Sequence, residues 1–144
     1  MESNQLALVM VAGIWAALNT LVSAYKVIND KRDVIISGKF EGEDISLEHR
    51  RLMFVNDWIP LKFGIAIASL IFAFALFSIP YLTDDPNPWL VTLSILATLG
   101  PFGSFLAFSI LGFRDYKFIQ RALKEVKKVI SREADLLIKK ENQS

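Results

Sequence analysis

Three long runs of this sequence contain no charged side chain, and they constrain the architecture that the chain can adopt. The runs cover residues 3–25, 63–83 and 86–113. Each is at least as long as the about 20 apolar residues that an α-helix needs to cross the ~30 Å hydrocarbon core of a bilayer. The sequence therefore predicts an all-α membrane protein in which three transmembrane helices form an antiparallel bundle. We place the spans at about residues 5–27, 60–82 and 88–112.

Nearly all charged residues lie in the segments that flank these runs. Between the first two spans we predict a juxtamembrane loop, residues 28–59, with a short helix at residues 47–56 that Ser46 caps. After the third span we predict an amphipathic basic helix over residues 115–140. Asn87 and Pro88 suit the N-cap and the first turn of the third span. We expect the 144 residues to form a single integral membrane domain.

The distribution of lysine and arginine predicts the orientation of the chain. Residues 29–57 contain five such side chains, residues 82–89 contain none, and the tail from Arg114 onward contains nine. The positive-inside rule then places the N-terminus outside and the loop and tail in the cytosol, with a plasma (inner) membrane as the expected location. A signal peptide cleaved after Ala24 is the alternative. It is disfavoured because the chain begins with Met1 and Glu2 and has no basic n-region.

Small side chains recur along each span at steps of three and four, and they predict where the helices pack. Within lipid, apolar surface alone does not drive association, so helices meet where small residues allow the backbones to approach. The predicted packing residues are Ala12, Ala16, Asn19 and Ser23 in the first span, Gly64, Ala68 and Ala75 in the second, and Ala97, Gly100, Ser104 and Ala107 in the third.

Two features within the spans have both a functional and a structural interpretation. Asn19 can line a polar pathway or hold a ligand, but an interhelical hydrogen bond to Ser69 or Ser104 is the favoured interpretation. Gly100 and Pro101 predict a kink, because proline removes one helical hydrogen bond and its ring crowds the preceding turn. That kink can act as a hinge, although a role in packing is the more common outcome.

The tail has one apolar face and one cationic face. Tyr116, Ile119, Leu123, Val126 and Ile130 fall on the first face. The basic residues predicted to contact a membrane surface or a partner are Lys117, Arg121, Lys124, Lys128 and Arg132. We expect a bend or a change of partner near residues 112–115, because the apolar stripe is out of phase with the third span. The stripe can pack on the first loop, on anionic lipid headgroups or on another subunit, and the loop is favoured slightly over self-association.

Composition restricts the chemistry that is available to the chain. The sequence has no cysteine and one histidine, His49, so we expect no metal site and no cofactor. No catalytic or phosphate-binding motif is present, and we do not expect an enzyme or a nucleic-acid partner. The lipid bilayer is one expected partner, and a protein partner or self-association is the other. The leading function is an accessory, assembly or regulatory membrane subunit. A homo-oligomeric pore or channel is the alternative, and a membrane-bound enzyme ranks third.

Overall fold

The computed structural model describes residues 3–39, 46–84 and 86–141, and these residues are almost entirely helical. The helices are α1 (Ser3–Asp30), α2 (Arg32–Lys39), α3 (Leu47–Ser78) and α4 (Pro88–Glu141), and a 3₁₀ turn over Ile79–Leu82 follows α3. Three helices among the described residues, α1, α3 and α4, are long and apolar enough to cross a membrane. The prediction of an all-α chain with three such helices is therefore confirmed.

Two helix starts agree with the predicted capping residues. The backbone N–H of His49 donates to Ser46 Oγ over 3.3 Å at the start of α3. The backbone N–H of Trp89 donates to Asn87 Oδ1 over 3.0 Å at the start of α4, where Pro88 occupies the first helical position. In both cases a side-chain oxygen satisfies an N–H group that has no partner within its helix.

The helices continue where the sequence predicted interruptions. The short helix expected at residues 47–56 and the second span are one helix, α3, which runs through Pro60. The third span and the amphipathic tail are likewise one helix, α4, which runs through Pro101 and through residues 112–115. A proline removes only one backbone hydrogen bond, and the many bonds on either side of it hold these long helices together.

Helical structure continues beyond the apolar run of the first span. Only Lys31 separates α1 from α2, and its backbone N–H donates to the carbonyl of Val27 over 3.1 Å. The N–H of Ile35 in turn donates to the carbonyl of Lys31 over 3.0 Å. These bonds have helical spacing, so α2 continues closely from the end of α1. Residues 40–45, which belong to the predicted loop over residues 28–59, lie outside the described residues.

The core consists of three clusters spread along the helices, and α3 and α4 share the most extensive contact. One cluster lies near the 3₁₀ turn and consists of Ala7, Val11, Leu76, Ile79, Leu90 and Ala97. A second lies nearer the charged ends of the spans and consists of Ile65, Ala66 and Phe108, with Tyr25 of α1 packed against it. In the third, Ile36 of α2 packs with Phe54 of α3. Helix α1 therefore contacts the α3–α4 pair at both ends of the apolar region.

Candidate functional site

The predicted packing residues of the first span lie outside the contacts made within one chain. Ala12, Ala16, Asn19 and Ser23 are all exposed. The residues of α1 that are buried against the rest of the chain are larger on average, and they occupy another face: Ala7, Val11 and Leu18. A role for the small-residue face in helix packing stays a prediction, and it concerns a contact with another molecule rather than with α3 or α4.

The predicted packing residues of the other two spans lie in mixed environments. Ala97 is buried, whereas Ala68, Ala75, Gly100 and Ser104 are half-buried and Gly64 and Ala107 are exposed. Gly100 has the closest identified contact, because a Cβ atom built on it would overlap the indole ring of Trp15. Its lack of a side chain is what allows α1 to approach α4 at this point.

The hydrogen bond expected for Asn19 does not form within the chain. Asn19 is exposed, while Ser69, one of its two expected partners, is fully buried and its Oγ has no hydrogen-bond partner. The hydrogen bonds of the described residues do not join Asn19 to Ser104 either. The reason is geometric, since Asn19 lies on the face of α1 that points away from the other helices.

Pro101 lies inside α4 and is almost completely buried, with less than 2 % of its surface exposed. Its ring is part of the packed interior next to Gly100. The predicted kink at these two residues stays a prediction, because α4 is continuous on both sides of them.

The amphipathic tail packs on the rest of the chain only near its start. Ile119 is buried at 6 % exposure, and Phe118 lines a cavity beside the N-terminal part of α3. Further along, Leu123, Val126 and Ile130 are 53 %, 53 % and 61 % exposed. The five basic residues singled out in the tail, Lys117, Arg121, Lys124, Lys128 and Arg132, are also exposed. Of the stripe residues, Tyr116 is 47 % exposed and Ile119 is buried, so the stripe as a whole does not pack on the first loop.

A charged cavity of about 380 Å³ lies where α1, α3 and α4 leave their apolar runs. Three cations and one carboxylate are among its lining residues: Arg32, Lys62, Arg114 and Asp115. Lys62 Nζ forms an ion pair with Asp115 Oδ2, and these side chains are only 12 % and 14 % exposed. Arg114 Nε lies 3.9 Å from Asp115 Oδ1. One carboxylate is therefore shared by two cations, and positive charge is in excess around the cavity.

A second cavity, of about 670 Å³, adjoins the first and shares Arg32 and Val55 with it. Arg51 and His49 also line it, and Arg51 extends the excess of positive charge along the start of α3. Among the described residues no three acidic, histidine or cysteine side chains come together as a candidate metal site. The chemistry that these two cavities favour is the binding of an anion.

The sequence interpretation did not identify this cluster, although a signal for it was present. Lys62 directly precedes the second uncharged run, and Arg114 and Asp115 directly follow the third. When two successive spans pack side by side, the charges at their facing ends lie at the same depth and can pair. Comparisons with protein-family models, with curated proteins and with solved structures each give no match for this chain.

Proposed function

We propose that this chain is a non-catalytic integral membrane protein, an accessory, assembly or regulatory subunit that docks a protein partner through the end of α4. We further propose that its spans form an antiparallel bundle in the plasma membrane, with the N-terminus outside and the tail in the cytosol. The main support for docking is that the apolar stripe of α4 beyond Ile119 remains exposed on a continuous helix.

The exposed stripe is large enough to provide a binding surface. Leu123, Val126 and Ile130 are each more than half exposed. Complete burial of one such side chain contributes about 1.5–3 kcal/mol. A partner that covers several of them gains enough free energy for a specific contact, even after the cost of ordering the interface.

The length and continuity of α4 favour a protein over the bilayer surface as the partner of this stripe. At about 1.5 Å per residue, a helix of 54 residues extends about 80 Å, against a hydrocarbon core of ~30 Å. A helix that continues directly from a span carries its far end away from the membrane. Lys117 and Arg121, near the start of the tail, remain close enough to attract anionic headgroups at about 1 kcal/mol each.

The partner that fits this surface is a helix from another protein or from a second copy of the chain. The cations Lys124, Lys128 and Arg132 lie on the opposite face and stay solvated when the stripe is covered. Lys127 and Glu133 interrupt the stripe and disfavour a long, regular coiled coil. A short helix-on-helix contact over residues 119–130 is therefore the expected geometry.

Native mass spectrometry of the full chain in mild detergent tests this function. We expect a dimer or a complex with a companion protein, and we expect Ile130→Lys to weaken it about tenfold or more, because the variant places a charge in the apolar contact. Ser131→Lys is the matched control: it adds the same charge at the next residue, outside the stripe, and should leave the complex intact. A wild-type chain that is monomeric and has no companion would refute the proposal.

A homo-oligomeric pore is the second candidate, and the position of Asn19 favours it. An amide exposed within a span has lost its hydrogen bonds to water, at a cost of several kcal/mol unless another molecule satisfies it. Another subunit, or water in a shared channel, can supply those bonds. A ring of subunits that conducts ions in liposomes, with conduction lost in Asn19→Leu, would support the pore over the docking subunit.

A further inference from the structure

An apolar groove runs between α1 and α3, and it joins the charged cavity described above. The groove has a volume of about 590 Å³ and shares Tyr25 and Ile28 with that cavity. Its floor is formed by small residues of both helices: Ala17, Ala24, Gly64 and Ala68. Nothing lies within 4 Å of the place where a Cβ atom on Gly64 would stand, so the groove is open at that point.

The dimensions of the groove match one leaflet of a bilayer. Along α1 it extends from Ala17 to Ile28, which is about 16 Å at 1.5 Å per residue. Half of the ~30 Å hydrocarbon core is about 15 Å. Two of its lining residues carry a hydroxyl group, Thr20 and Tyr25. The hydroxyl of Thr20 donates to the carbonyl of Ala16 over 2.9 Å and so presents little unsatisfied polarity, and Tyr25 stands at the end of the groove that meets the charged cavity.

Aromatic residues mark the boundary between the apolar groove and the charged cavity. Tyr25 stands edge-on to Phe108 with ring centroids 4.9 Å apart, and Trp58 stacks on Phe54 at 5.2 Å. Tyrosine and tryptophan prefer the headgroup level of a membrane. Because both rings are held by aromatic neighbours, this end of the site is already formed in the chain alone.

The cavity beyond these aromatic residues has the charge that an anionic headgroup requires. Arg32, Lys62 and Arg114 line it, and Asp115 is the one carboxylate among its lining residues. Arg32 Nε also lies 3.5 Å from Asp33 Oδ1, but those side chains are 46 % and 71 % exposed, so the pair is weak and is open to exchange for a phosphate. The adjoining larger cavity leaves room for the rest of a headgroup.

We propose that this composite site binds one anionic phospholipid, with its phosphate at Arg32, Lys62 and Arg114 and an acyl chain in the groove beside Gly64. A free anion would use only the charged cavity, and a partner helix would use only the groove. The juxtaposition of both surfaces at the depth of a headgroup favours a lipid of the surrounding leaflet. This lipid site is separate from the docking stripe of α4, and the two proposals share only the location of the chain in a membrane.

Native mass spectrometry with defined lipids tests the site. The full chain is purified in mild detergent and offered phosphatidylglycerol and phosphatidylcholine in equal amounts. We expect one phosphatidylglycerol to be retained in clear preference. Arg32→Gln should weaken its retention about fivefold, the effect of one interfacial cation. Gly64→Leu should weaken it by about fivefold or more, because the new side chain occupies the groove.

Two matched controls separate this site from general attraction to the bilayer. Lys26→Gln removes a cation next to Tyr25 that is not among the residues lining the cavity, and Gly13→Leu enlarges another glycine with open space around it. Both variants should retain the lipid as the wild type does. Equal retention of the two lipids, or equal losses in the site and control variants, would overturn the proposal.

Retention that depends on Arg32 but not on Gly64 would also overturn the proposal, since it would identify an anion site without a lipid tail. The docking function is tested separately by Ile130→Lys, which changes neither surface of the lipid site. Loss of the complex with intact lipid retention, or the reverse, therefore distinguishes the failure of one proposal from the failure of the other.

Discussion

At the scale of single residues, burial separates two ion pairs of the same chemical type. Lys62 and Asp115 join α3 to α4 with side chains only 12 % and 14 % exposed. Lys39 and Asp57 join α2 to α3, but each of these side chains is 49 % exposed. When a buried charge loses its partner, no water is available to solvate it. An exposed charge that loses its partner is solvated by water. The first pair is therefore the more sensitive of the two to substitution.

Substitution of the two carboxylates by amides measures this difference. We expect Asp115→Asn to lower the free energy of unfolding by about 3 kcal/mol, because it leaves the Lys62 ammonium largely buried without a counter-charge. Asp57→Asn should lower it by less than about 1 kcal/mol. Unfolding of both variants in mixed detergent micelles at neutral pH provides the comparison. Equal losses would show that the α3–α4 pair is solvated in the folded state.

At the scale of elements, two helices continue through a proline in different surroundings. Pro60 of α3 is exposed, and Pro101 of α4 is almost completely buried. The sequence interpretation ended the loop helix before Pro60, because proline usually marks a boundary. In α3, the hydrogen bonds of a 32-residue helix outweigh the free-energy cost of one internal proline. From one sequence the propensity of a residue can be read, but not the stability of the long helix around it.

Replacement of each proline by alanine tests this account of the long helices. Pro60→Ala should raise the free energy of unfolding by roughly 1–3 kcal/mol, because it restores a helical hydrogen bond and removes no buried group. Pro101→Ala restores a bond as well but leaves a cavity in a packed position, so its gain should be smaller by about 1 kcal/mol or more. Thermal unfolding of both variants in the same detergent provides the measurement. An equal gain would mean that the Pro101 ring contributes nothing to packing.

At the scale of the whole molecule, α1 is the least extensively attached of the three long helices. One of its contacts with α4 is made by Trp15, whose indole ring lies against Gly100. Trp15 also packs on the cluster that contains Leu76 and Ala97. One large side chain placed against one glycine therefore contributes to the contact of α1 with both other long helices.

The two glycines that flank Pro101 provide a matched test of that attachment. Gly100→Ala should destabilise the chain by roughly 1–2 kcal/mol, because the new methyl group overlaps the indole ring of Trp15. Gly103→Ala meets no neighbour within 4 Å and should stabilise α4 by about 0.5–1 kcal/mol through helix propensity. Thermal unfolding of the full chain distinguishes the two. If both variants were stabilised, Trp15 would not hold α1 in place.

The predicted faces show which part of the packing could be read from the sequence. In α4, Ala97 belongs to a buried cluster and Gly100 lies against the indole ring of Trp15, so a small residue there meets a large one on a neighbour. In α1 the face with Ala12 and Ala16 is exposed, and the buried positions Ala7, Val11 and Leu18 follow an equally regular spacing of four and seven. Both faces of α1 have a periodic pattern that is compatible with packing. The sequence of α1 alone does not show which of them fits the surface of α3 and α4.

The sequence by itself determined the number of long apolar helices and the caps at Ser46 and Asn87, because these depend on local hydrophobicity and on local hydrogen bonds. The tertiary structure alone decided which face of α1 is covered, that Lys62 meets Asp115, and that the stripe beyond Ile119 is left open. The physical reason is that every face of an apolar helix is equally compatible with lipid. The choice among these faces depends on shape and on charges that lie far apart in the chain.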